Sequence, residues 1–415
     1  MTKNDPAAAP TAGFLNTDWN PRDVPEGTVT RNVVLRTADG AAVTGSLYRR
    51  SSPDTVVCVM HPREFMACHY LIPDIIESGC AAWSQSPRSV GYDLRLEHEI
   101  ALFDVAAGLT FLQSQGFRRI VLVGNSGGAS LYAFYIQQSS RDADARIERT
   151  PGGRPTKLST LSMPEVDGAI FVAPHPGQGT LLMGCIDPSV TDERDPLSVD
   201  RTLDPLSEAN GFSPGRAQYS AEFLDRYRKA QTARIERLDE QARALIAARM
   251  DAKKKLKAAP TDELRRQSAH TPIMTVWRTD ADPRCFDLSL DPSDRTFGTL
   301  WGKDPFASNY GAVGFARNCT PDAWLSTWSA LSSNAALAKT APAIGQPTLL
   351  VEYTGDNSTF PRVIREIYGQ IAASGKTHLR IRGDHHGRAL AAGEEPGRYI
   401  AGRELSRWLS DFRTK

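Results

Sequence analysis

Ile120-Val121-Leu122-Val123-Gly124-Asn125-Ser126-Gly127-Gly128 is the stretch that decides how this chain is read. A short apolar run rich in β-branched residues enters G-x-S-x-G, and residues 129–138 continue with small and apolar side chains at helical spacing. Five letters of this kind recur by chance, but a strand before and a helix after them do not often coincide. A serine at such a strand-to-helix turn sits in strained backbone with its Oγ presented outward, and the flanking glycines serve because side chains there would clash. Ser126 is therefore the candidate nucleophile, weighed against a plain glycine turn closing a strand.

Outward from this turn, the pattern alternates. Toward the N-terminus, strands are expected at 32–36, 43–48 and 55–60, the first two as an antiparallel edge. Then come strand-loop-helix units: 70–77, a strand at 81–84, a helix at 97–115 and the strand at 119–123, which implies parallel βαβ connections. A further strand at 168–173 ends in Pro174-His175-Pro176-Gly177, and the rhythm then stops for roughly 170 residues. Within that interval, 220–257 reads as a long charged helix with Phe223, Tyr227, Ile235, Leu238, Ala242, Leu245 and Ile246 to one side. Its Lys253, Lys254, Lys255 and Lys257 read as a solvated helix end. The α/β rhythm returns with a strand at 347–353, a helix at 362–373, a strand at 378–381 and a helix at 399–412. The expected organisation is a flexible segment 1–25, a core of 26–176 and 346–415, and an insertion of 177–345.

Composition narrows the function classes. At 415 residues there is ample chain to bury a core, and 49 Lys plus Arg against 48 Asp plus Glu leave a net charge of +1. No general attraction to nucleic acid or to an anionic membrane follows from that balance. The six cysteines, at 58, 68, 80, 185, 285 and 319, form no C-x-x-C pair, so buried free thiols are expected and neither a zinc site nor a disulfide framework is. Residues 1–20 lack the apolar core of a signal peptide and no apolar run has the length of a membrane span. A soluble, cytoplasmic protein is the expectation, acting on a small molecule, with a homodimer left open because the apolar face of the 220–257 helix could serve either a partner or the insertion itself.

A serine hydroxyl is a poor nucleophile at neutral pH and needs an imidazole to take its proton and a carboxylate to orient that imidazole. Thr354-Gly355-Asp356 follows the resumed strand, and Gly383-Asp384-His385-His386-Gly387 follows the next one. Asp356 alone would pass for a turn residue beside Asn357, Ser358 and Pro361, and the Asp384-His385-His386 cluster has no H-E-x-x-H partner spacing to suggest a metal. In the order Ser, Asp, His, the three loops resemble those of the α/β-hydrolase superfamily, over about 31–176 and 346–415. The resemblance implies a mostly parallel, doubly wound sheet with a mainly helical cap inserted after the sixth strand, and no metal or organic cofactor.

Residue by residue, the resemblance matches Ser126 to the nucleophile, Asp356 to the acid and His386 to the base, with His385 as the alternative base. It also implies an oxyanion hole. Gly127 N–H supplies one donor, and the second is expected from the loop after the third strand, which reads His61-Pro62-Arg63-Glu64-Phe65. Proline carries no N–H, which leaves Arg63 N–H as the expected second donor. His61 reads as a structural histidine satisfied by backbone groups. His175, leaving the sixth strand at the sheet's carboxyl edge, together with Arg88 and Trp324, is an expected substrate contact. The reaction expected is cleavage of a carboxylic ester of a small to medium organic molecule through an acyl-enzyme. C–C hydrolysis of a diketone-type ring-fission product, amide or thioester hydrolysis, and a catalytically silent binding module are the alternatives; haloalkane chemistry would require aspartate at 126.

Overall fold

The computed structural model describes residues 23–312 and 314–414, so the flexible segment expected at 1–25 falls mostly outside the described residues. Among the described residues the first six strands are β1 Val29–Arg36, β2 Ala42–Arg49, β3 Thr55–Met60, β4 Ala81–Ser86, β5 Arg119–Asn125 and β6 Gly168–Val172. A two-residue ladder, β7 Met274–Thr275 with β8 Asn318–Cys319, comes next, and β9 Thr348–Tyr353 and β10 Lys376–Ile381 follow. The main sheet runs β1-β2-β4-β3-β5-β6-β9-β10. Only β2 is reversed, pairing antiparallel with both β1 and β4, while the remaining pairs are parallel. This is an α/β-hydrolase fold, and the antiparallel edge and parallel units agree with the sequence pattern.

Strand side chains alternate between two apolar layers, as a doubly covered sheet requires. Ile120 and Leu122 of β5 join Cys58, Phe171 and Leu350 under helices α2 His98–Ser114 and α3 Gly127–Ser139. Val121 and Val123 join Val59, Val172 and Val351 on the other face, under α1 Ile72–Glu77 and the C-terminal helix Gly397–Thr414. With β-branched residues on both faces, β5 is wholly buried except at Arg119, which fixes the level at which its carboxyl end emerges.

The chain between β6 and β9 builds its own apolar core. Helix α4 Gln178–Cys185 packs with α5 Ala221–Ala258, and Leu182, Ile235, Leu238, Trp324 and Trp328 are buried together. Helix α5 starts where Ser220 Oγ accepts the Phe223 N–H at 3.1 Å and ends in exposed Lys253, Lys254, Lys255 and Lys257. Leu245 and Ile246 are half-buried rather than free. Short helices α6 Asp262–Ala269, α7 Pro305–Tyr310, α8 Pro321–Ala323 and α9 Leu337–Thr340 complete it before β9; α10 Pro361–Gln370 then covers the sheet, and the C-terminal helix is α11. Among the described residues no helix is long and apolar enough to cross a membrane, and all six cysteines are free, five of them buried.

Candidate active site

Five parallel strands end at one edge of the sheet and deliver the loops that carry His61, Ser126, His175, Asp356 and His385. Ser126 follows β5 directly and holds φ 55°, ψ −123°, a conformation that L-residues avoid. The backbone pins it: Ser126 N–H donates to Val172 O at 2.9 Å and Ser126 O accepts from His175 N–H at 3.1 Å. Asn125 adds a brace by donating Nδ2 to Val172 O at 2.9 Å. The glycines are required by packing, since a Cβ on Gly124 would lie 2.6 Å from Ala129 Cα and one on Gly128 would lie 2.4 Å from Met60 O. The strained turn can form only where these two positions lack side chains.

His385 Nε2 lies 3.0 Å from Ser126 Oγ, and His385 Nδ1 lies 2.7 Å from Asp356 Oδ2. The expectation that set His386 in this place is therefore corrected. Asp384 Oδ1 accepts the N–H groups of His386 and Arg388 at 2.9 and 2.8 Å, curling the loop so that His385 faces Ser126. The His386 ring stacks edge-on against His385, centroids 5.1 Å apart. Asp356 Oδ1 accepts Ser358 N–H at 2.7 Å, Thr359 N–H at 3.1 Å and Ser358 Oγ–H at 2.9 Å, leaving Oδ2 for the imidazole.

Charge follows this geometry. Burial opposes ionisation of Asp356, but the adjacent His385 and the two backbone N–H groups hold its carboxyl below the usual value. Burial likewise opposes a charged His385, and the Asp356 carboxylate outweighs it, so that imidazole titrates above 6.5. The neighbouring imidazoles go the other way. Burial, then repulsion from His385, pushes His175 down to about 3 and His386 well below the ordinary value.

His175 reaches the serine itself, which is closer than the substrate contact expected of it. Its Nε2 lies 3.2 Å from Ser126 Oγ and 3.2 Å from Ser358 Oγ, and Gln178 Oε1 lies 3.2 Å from Nδ1. The ring stacks on His385 with centroids 5.0 Å apart. Imidazole nitrogens of both His385 and His175 thus lie within hydrogen-bond distance of the one Ser126 hydroxyl. Gln178 and Ser358 are the site residues that sequence reasoning missed. Gln178 carries no sequence signal beyond opening a helix just after His175, and Ser358 reads only as turn chemistry around Asp356.

Three other expectations do not survive. Arg63 N–H is not free, because it donates to His61 Nδ1 at 3.2 Å, and Glu64 N–H joins it at 3.1 Å. Arg88 is engaged by Asp104 and Asp39, with Nε to Asp104 Oδ1 at 2.7 Å and Nη2 to Asp39 Oδ1 at 2.8 Å. Trp324 is fully buried in the apolar core built by the chain between β6 and β9, where its indole N–H donates to Asp239 Oδ1 at 2.7 Å. A cavity of about 60 Å³ opens on Ser126, and its apolar wall comes from Met66, Leu300, Trp301 and Phe315. Among the described residues no group of His, Cys, Asp and Glu is arranged to hold a metal ion.

No family model matches this chain, and no curated protein matches it. Among solved structures it is similar to DcsB in complex with its substrate analogue, at 12% identity over 93% of this chain and 100% of that one, TM-score 0.48. Hypothetical protein PA2218 from Pseudomonas aeruginosa is similar at 13% identity over 96% and 98%, TM-score 0.46. The Pyrococcus furiosus esterase Pf2001 is similar at 12% identity over 95% of each chain, TM-score 0.42.

Proposed function

We propose that this protein is a serine hydrolase that cleaves carboxylic esters with a small acyl group through an acyl-enzyme. One observation carries the reading: Ser126, held at φ 55°, has its Oγ 3.0 Å from an imidazole whose other nitrogen lies 2.7 Å from a buried carboxylate. Ser126 Oγ attacks the ester carbonyl carbon while His385 Nε2 takes its proton, and Asp356 stabilises the imidazolium. The tetrahedral intermediate collapses as the C–O bond to the alcohol breaks and His385 returns the proton to the leaving oxygen. Water then adds to the acyl-enzyme by the same route, releasing the acid and restoring the serine.

The raised affinity of His385 for protons suits a base that must hold one transiently. Substrate size follows from the cavity. The space beside Ser126, about 60 Å³ and walled by Met66, Leu300, Trp301 and Phe315, supports a small acyl group. Leu300, Trp301 and Phe315 come from the insertion, which in this reading acts as a cap over the acyl group.

A series of p-nitrophenyl esters from acetate to decanoate tests both parts. Hydrolysis with kcat/KM highest for the shortest chains, and lost in Ser126→Ala, is the expected result. Absence of ester turnover, with turnover of a vinylogous diketone acid, an amide or a thioester instead, would replace the ester assignment.

A further inference from the structure

Acyl transfer places a negative charge on the former carbonyl oxygen, and donors fixed around that position determine much of the rate. Gly127 N–H qualifies as one, since the first residue of a helix has no intrahelical acceptor. The backbone donor expected opposite it, Arg63 N–H, is already given to His61 Nδ1. A second donor must come from elsewhere.

His61 has the required chemistry. Its Nδ1 accepts two backbone N–H groups, from Arg63 and Glu64, so the ring proton must reside on Nε2. That Nε2–H has no hydrogen-bond acceptor among the described residues, and the ring lines the cavity on Ser126. It stands directly against Gly127: a Cβ there would lie 2.7 Å from His61 Nε2. The same test atom would lie 3.0 Å from Gln178 Nε2, whose amide oxygen is held by His175 and whose N–H₂ has no acceptor among the described residues. Two side-chain donors, each on a residue no more than 4% exposed, thus border the residue after the nucleophile.

We infer that His61 Nε2–H, assisted by the Gln178 side-chain amide, completes the oxyanion hole with Gly127 N–H. A side-chain imidazole here replaces the second main-chain donor. Burial, followed by repulsion from Arg63, keeps His61 from taking a second proton, so Nδ1 stays an acceptor and the Nε2–H stays aimed. The assignment rests on the serine hydrolase reading above.

Two substitutions separate the donor from the loop anchor. Asparagine can reproduce the Nδ1 acceptor that holds the 61–64 loop but lacks a donor at the Nε2 position, whereas glutamine reaches that position. His61→Asn is expected to lower kcat on p-nitrophenyl acetate by about 10²–10³-fold with little change in KM. Affinity for a phenyl trifluoromethyl ketone, whose adduct carries the oxyanion, should fall in parallel. His61→Gln should recover kcat to within tenfold of the parent, and Gln178→Leu should lose about tenfold. In the unaltered protein, nitrogen NMR should find His61 protonated at Nε2, with that proton moving downfield when the ketone binds; this measurement stands even if a variant does not fold. A folded His61→Asn with unchanged kcat and ketone affinity, or a His61 protonated at Nδ1, overturns the assignment while leaving the hydrolase intact. Failure of the unaltered protein to be acylated at Ser126 overturns both.

Discussion

Asp356→Asn isolates the electrostatic part of the site, because the amide fills the same space without the charge. Asp356 Oδ2 and His385 Nδ1 are 2.7 Å apart and each residue is 2% exposed, so salt does not screen the pair. Charge centres about 4 Å apart at an effective dielectric of about 20 interact by about 4 kcal/mol. If the imidazolium in the transition state loses that stabilisation, kcat/KM falls by roughly 10³-fold, since each ~1.4 kcal/mol is a factor of ten. The pH dependence moves as well. The base works only when neutral, so in the parent kcat/KM should rise with pH through a midpoint above 6.5, set by Asp356. Without the carboxylate, burial dominates and the midpoint drops. The assay is kcat/KM on p-nitrophenyl acetate between pH 4.5 and 9, normalised by active-site titration. A variant within tenfold of the parent on the high-pH plateau, or one whose midpoint stays in place or rises, would refute the reasoning.

The remaining predictions concern the two histidines, the turn and acid stability. His385→Ala should abolish measurable turnover, whereas His386→Ala should lower kcat/KM less than tenfold; the reverse ranking in steady-state assays would restore His386 as the base. Gly128→Ala would press a methyl to 2.4 Å from Met60 O, so a loss of about 1–3 kcal/mol in urea unfolding is expected, with activity falling further as Ser126 is displaced. His98 is fully buried, has no partner for either ring nitrogen among the described residues, and is lowered by burial to about 4. The unfolded chain therefore binds a proton that the folded one refuses as pH falls from 6.5 toward 4, which lowers stability by about 2 kcal/mol at pH 5. His98→Leu should remove that part of the acid sensitivity in a denaturation series at pH 8 and pH 5; an unchanged pH slope would contradict the assignment.

How much of this was legible in the sequence depends on how local the determinant is. The β5 run, G-x-S-x-G and the helix behind it are contiguous, and the strained turn at Ser126 follows from them. Asp356 was findable because it follows a strand that resumes the α/β rhythm, and loops after parallel strands converge on one edge. The choice between His385 and His386 was not findable, because adjacent residues point apart and the Asp384 turn and Gly387, at φ 67°, decide which faces inward. Arg88 illustrates a different failure. Its partners Asp39 and Asp104 lie 49 and 16 residues away in sequence, and no periodicity announces that they surround it. Trp324 failed for a third reason: an aromatic residue in a stretch without α/β rhythm suits a pocket wall and a core equally well, and only packing distinguishes them.

The central claim is that Ser126 becomes acylated. Fluorophosphonate treatment followed by intact mass and peptide mapping tests it most directly: one phosphonyl adduct, on the peptide carrying Ser126 and absent from Ser126→Ala and from acid-inactivated protein, is the predicted result. A folded protein that hydrolyses p-nitrophenyl acetate while Ser126 remains unmodified, or while Ser126→Ala keeps the parent's rate, would contradict the account.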